Sequence, residues 1–132
     1  MFEELGEFTG GLIIFFYLLT VLNYVLKFIT KKFGKTLRKA PKFYKIYIEM
    51  MKFIFKNHRL FGLITILLVL THFVIQFIDK GISVTGLIAA SCMFLEAILG
   101  SFGAFTKPKK KIWLYIHRGL AIIIFIAIVI HL

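Results

Sequence analysis

Acidic residues are scarce in this chain: six Asp and Glu stand against seventeen Lys and Arg, for a formal charge of +11. Cysteine is almost absent, and the lone Cys92 excludes an internal disulfide. The two prolines stand where helices begin or turn, Pro41 as the first residue of a helix and Pro108 inside a lysine-rich turn. The amino-terminal segment Met1-Phe-Glu-Glu-Leu-Gly-Glu7 has no basic region and no small-residue cleavage site, so a cleaved signal peptide is not expected and helix one serves as its own insertion signal. What the chain has in excess is apolar surface. Its hydrophobic share is 60% and its mean hydropathy +0.91, beyond the range of soluble domains, whose apolar share is nearer one half.

These features predict an all-α fold, a transmembrane four-helix bundle forming one domain over residues 1–132, with a basic amphipathic helical extension before helix two. The uncharged run Phe8–Leu26 is long enough to span a bilayer and ends on Lys27, Lys31 and Lys32, which sets helix one at about 8–32. It carries Thr20 and Asn23, polar groups suited to bonding a neighbouring helix or a ligand. Gly34–Ala40 reads as a turn, and helix two runs over 41–79 with its membrane part at 58–79. Its first half shows Lys42, Lys45, Glu49, Lys52 and Lys56 on one stripe and must lie along or project from the membrane surface, because 39 residues of helix measure roughly 58 Å. Asp79-Lys80-Gly81 is the next turn, helix three occupies 82–106, Lys107–Lys111 turns the chain again, and helix four fills 112–132.

Basic charge is concentrated in two places, eleven residues between Lys27 and Arg59 and five between Lys107 and Arg118. Short basic loops stay on the cytoplasmic side, so the expected location is the cytoplasmic membrane with both termini outside. The same rule accounts for the charge without a nucleic acid. The stripe on helix two is either this retention signal alone or a dock for anionic lipid or an acidic donor protein.

All four histidines fall into two pairs of equal spacing, His58 with His72 and His117 with His131, each fourteen residues apart. Fourteen residues are four helical turns less about 40°, so each pair lies on one face with a rise of roughly 21 Å. Short turns make helices two and four parallel, which pairs His58 with His117 near the inner side and His72 with His131 near the outer side. Neutral imidazole is a good axial ligand for haem iron. Two haems stacked between two helices is the reading this spacing favours, and with one cysteine no Cys-x-x-Cys-His attachment exists, so both would be non-covalent b haems. Arg59 and Arg118 follow the inner histidines directly and suit haem propionates. Gly62, one turn from His58, leaves room for a porphyrin, while Gly119 fits that role less well. Gly100, Ser101, Gly103 and Ala104 form a small-residue patch for the inner ring or, by default, another helix.

This layout resembles the ferric-reductase-like transmembrane family and the cytochrome b subunits of quinol-oxidising complexes, with the His58-Arg-Leu-Phe-Gly62 start nearer the former and small di-haem b-type cytochromes of the same four-helix kind. The resemblance covers His58 to His131. It implies that His58, His72, His117 and His131 ligate two b haems and that the chain is an electron-transfer subunit of an oxidoreductase complex with other redox subunits. No flavin or nicotinamide domain follows helix four, so reductase activity does not carry over to this chain alone. His131 is the penultimate residue, and a ligand there needs a partner subunit or further chain to cover it.

Glu96 interrupts helix three about midway between the two haem levels. Its candidate roles are proton relay, quinone binding or tuning of a haem potential; the plainer reading is a protonated carboxyl donating one hydrogen bond to a helix neighbour. Trp113, Tyr115, Tyr44 and Tyr47 fit an inner aromatic belt. Two other functions compete, a metal-ion carrier using the histidines as stepping sites and a cofactor-free structural or assembly subunit. Homo-oligomerisation is left open by the sequence.

Overall fold

The computed structural model describes every residue from Met1 to Leu132 and contains four helices, α1 (Phe2–Leu37), α2 (Pro41–Lys80), α3 (Val84–Thr106) and α4 (Ile112–His131), with no strand. The all-α class is therefore as expected. Each helix is long and apolar enough to cross a membrane, and the chain is a multi-pass membrane protein. Three-residue turns at 38–40 and 81–83 and a five-residue turn at 107–111 reverse the chain after each helix.

Helix ends differ from the sequence expectation. α1 begins at Phe2 rather than residue 8, with Glu3 and Glu4 in its first turn, where carboxylates complement the amino-terminal partial charge. It continues to Leu37, so Gly34–Leu37 is helix and not turn; the Arg38 amide still bonds the Gly34 carbonyl at 3.2 Å. Asp79 and Lys80 remain helical, and the turn falls on Gly81, whose φ of +78° suits glycine. α3 starts two residues late because Ser83 caps it, its hydroxyl accepting from the Gly86 amide at 3.3 Å. α4 stops at His131.

Packing divides the chain into two compact units. One is the hairpin Leu12–Thr65, formed by the carboxyl-terminal part of α1 and the amino-terminal part of α2. Leu26, Tyr47, Ile54 and Phe61 form its core, with Phe16, Leu22, Ile29 and Met51 packed around them. Tyr47 is buried rather than part of an aromatic belt: its hydroxyl donates to the Leu26 carbonyl at 2.8 Å and lies 2.8 Å from the Thr30 hydroxyl. Thr20 donates to the Tyr17 carbonyl of its own helix, not to a neighbour, while the buried Asn23 Oδ1 has no hydrogen-bond partner within the chain.

The other unit joins Met1–Gly11 to Ile66–Leu132. Here the start of α1, the end of α2, α3 and α4 pack as four helical segments. α3 and α4 are antiparallel, and their small-residue patch receives Trp113. A Cβ on Gly103 would run into the indole, so the ring occupies the space a side chain would take and Trp113 packs against α3. Most other large apolar side chains point outward, as a lipid-facing surface requires.

Gly103→Val is expected to force the indole out of its seat and lower the stability of the detergent-solubilised chain by about 1–3 kcal/mol, measured by thermal unfolding.

Candidate functional site

The second unit contains three of the four histidines, and each has a polar atom of a neighbouring helix near its Nδ1 and a glycine beside its ring edge. His72 on α2 has Nδ1 3.1 Å from the Gly6 carbonyl and 3.1 Å from the Thr9 hydroxyl, both on α1. A carbonyl only accepts, so Nδ1 carries the proton and donates. The Thr9 hydroxyl is 2.8 Å from the Leu5 carbonyl, which takes its proton and leaves its oxygen to accept as well. In a neutral ring this fixes the tautomer, and Nε2 is the nitrogen with a bare lone pair. The ring edge rests near Gly10, whose missing Cβ would sit 3.4 Å from Cε1.

His131 on α4 has Nδ1 3.0 Å from the Thr85 hydroxyl, which lies 3.1 Å from the Ser83 cap. Gly86 backs its ring; a Cβ there would approach Cε1 to 2.9 Å. The last turn of α4 is therefore tied to the first turn of α3. The sequence placed His131 where fraying threatens, and these contacts secure it.

The rings of His72 and His131 meet edge to face, with centroids 6.3 Å apart and planes at 87°. Nε2 is the nitrogen that the Nδ1 contacts leave on His72 to bind a metal. No three His, Cys, Asp or Glu side chains converge as a metal-holding group anywhere in the chain. Two imidazoles are too few for a closed site of protein ligands, and a haem, which brings nitrogen donors of its own, would ask the protein for no more than such a pair.

His117 on α4 has Nδ1 3.1 Å from Glu96 Oε1 on α3, with both side chains more than four-fifths buried at 19% and 17% exposure. A Cβ on Gly100 would lie 3.2 Å from its Cε1, and the Trp113 ring centroid is 6.3 Å away. Glu96 thus meets a histidine rather than standing alone in α3. Its second oxygen, Oε2, is buried without a hydrogen-bond partner. Carboxylate–histidine pairs of this kind orient metal-ligating imidazoles and raise their basicity. Arg118, next along α4, is half-buried.

His58, Arg59 and Gly62 belong to the hairpin unit. His58 is half-buried, Arg59 is exposed, and a Cβ on Gly62 would meet nothing within 4 Å, so the space the sequence assigned to a ring is open there.

Gly6, Thr9, Gly10, Thr85 and Gly86 were not foreseen as site residues. Signals existed: Gly6-Glu-Phe-Thr-Gly10 is a small-xxx-small motif, and Gly86 and Gly100 repeat the fourteen-residue interval of His131 and His117 on the antiparallel neighbour. No family model, no curated protein and no solved structure matches this chain.

Two outcomes are expected here. Nitrogen-15 histidine spectra of the haem-free chain should show His72 protonated on Nδ1; an Nε2-protonated ring would contradict the assignment. Gly86→Val should displace the His131 ring and reduce retention of any group held between His131 and His72 by about 10–100-fold, read by titration.

Proposed function

We propose that this chain is a di-haem b-type cytochrome, the membrane subunit of a larger oxidoreductase that carries electrons across the cytoplasmic membrane. The observation that carries the reading is the neighbouring pair His72 and His131, 6.3 Å between centroids, on helices whose histidines repeat one sequence interval. His72 and His131 would hold one haem and, on the same sequence interval, His58 and His117 the second, with Arg59 and Arg118 available to the propionates and Gly62 leaving room for the ring. Haem, when bound, supplies a one-electron couple. The residues supply the rest. Gly6 and Thr9 hold the His72 ring in the ligating tautomer, Thr85 anchors His131, and Glu96 orients His117.

Support also comes from the sequence resemblance to the ferric-reductase-like and cytochrome b-like four-helix families. Basic turns on one side favour an arrangement with both termini outside. The chain would act as an electron-transfer subunit rather than a self-contained enzyme, with other redox subunits, a quinone or an acidic donor at its basic face. A stepwise metal carrier would need three-donor stations along its path, and the side chains form none.

Purified protein should give a b-type pyridine haemochrome with two haems per chain, and His72→Ala should lose one of them. A folded, colourless protein from haem-replete cells would overturn the proposal and favour a structural subunit.

A further inference from the structure

The hairpin unit carries a feature that haem ligation leaves unused. α1 and α2 are each one continuous helix, and their uncharged runs end at Leu26 and begin again at Leu60. Everything between, from Lys27 to Arg59, is a helical hairpin whose charges would keep it outside the hydrocarbon layer. Its two helical arms are locked together by the Tyr47 hydroxyl on the Leu26 carbonyl, by Ile29, Ile48 and Met51 packed against the core, and by the Lys27 ammonium 4.7 Å over the Phe55 ring. From Lys27 to Arg38 the helix climbs about 16 Å, two Debye lengths at physiological salt.

Eleven cations and one acid, Glu49, occupy this stretch. Near the tip, Lys31, Lys32, Lys35 and Arg38 surround Gly34, where a Cβ would meet nothing within 4 Å, and with Thr30 they line a cleft of about 480 Å³. Phe33, Phe43, Ile46 and Met50 are exposed between the charges. Cations at the membrane edge, such as Lys27, Lys56 and Arg59, suffice for topology and lipid contact. Lys35 and Arg38, roughly 12 and 16 Å along the hairpin beyond Lys27, stand where salt screens most of the headgroup charge, and the exposed Phe43 and Ile46 on the same end mark a surface that another protein covers. A second copy of the hairpin would bring like charge against like.

We propose that the hairpin tip, centred on Lys31, Lys35, Arg38 and the Gly34 notch, is the docking surface for an acidic protein. The cations steer and orient the partner's carboxylates, and Phe33, Phe43 and Ile46 supply the apolar contact. That such a partner exchanges electrons with the chain rests on the haem reading; that it docks here does not.

The test uses the full chain in nanodiscs of zwitterionic phosphatidylcholine, with fluorescent poly-L-glutamate as the probe for an acidic protein surface. Wild type should bind it with an affinity that falls as salt rises. The triple variant Lys31→Gln, Lys35→Gln, Arg38→Gln keeps Lys27, Lys56 and Arg59 for insertion and should weaken binding at least about tenfold. Lys109→Gln with Lys110→Gln, on the other basic turn, should change it little; an equal loss there, or none at the tip, overturns the proposal. A spin label on Gly34→Cys in a Cys92→Ser background should stay water-accessible with and without phosphatidylglycerol. Burial of the label in lipid would assign the tip to headgroups instead. A 20-nucleotide oligouridylate that displaces polyglutamate at lower charge concentration would assign it to nucleic acid and equally overturn the proposal.

Discussion

Inside a membrane an imidazole must give its N–H to something, because lipid accepts no hydrogen bond. The arrangement of the Met1–Gly11 and Ile66–Leu132 unit follows from how this chain meets that requirement. His72 donates to a main-chain carbonyl that the first turns of α1 bring to it. His131 is held by a hydroxyl at the cap of α3, and His117 by a carboxylate in the middle of the same helix. All three groups lie beside Nδ1, and at His72 the carbonyl can only accept, so Nδ1 donates there. One consequence is chemical: the proton is tied on the far side of the ring, and in His72 Nε2 is left as a base. Another is structural, since α1 is bound to α2 and α3 to α4 at the positions where a ligand would need rigidity.

Glycine completes the device. Gly10, Gly86 and Gly100 lie against the edges of His72, His131 and His117, where any side chain would crowd the ring. Helices that approach closely over small residues are the ordinary means of packing in lipid, where no hydrophobic force presses them together. Here the same contact sets the depth and facing of three imidazoles. The three acceptors differ in kind, two neutral oxygens and one carboxylate, so the environment of His117 differs electrically from that of His72 and His131.

Helix number and span were legible in the sequence because long uncharged runs have no soluble alternative, and the ligand candidates because four histidines shared one interval. Helix ends were less so. Ser83 moved the start of α3 through a cap that depends on backbone geometry, and α1 gained its first turn from Glu3 and Glu4, which read as a charged tail when hydropathy alone is followed. The residues that hold the rings were the least legible. Gly6 acts through its carbonyl, which no side-chain pattern announces, and Thr9 and Thr85 gain meaning only once the register of one helix against the next is known. The seat of Trp113 in the notch at Gly103 likewise depends on the register of α4 against α3.

The central claim is that His72 and His131 ligate one iron between them and leave it no open position. It is tested most directly by exposing the reduced, purified protein to carbon monoxide and recording its visible spectrum. Two axial histidines predict a low-spin b-type spectrum that carbon monoxide leaves unchanged. A shifted spectrum, or a protein with no haem to observe, would contradict it.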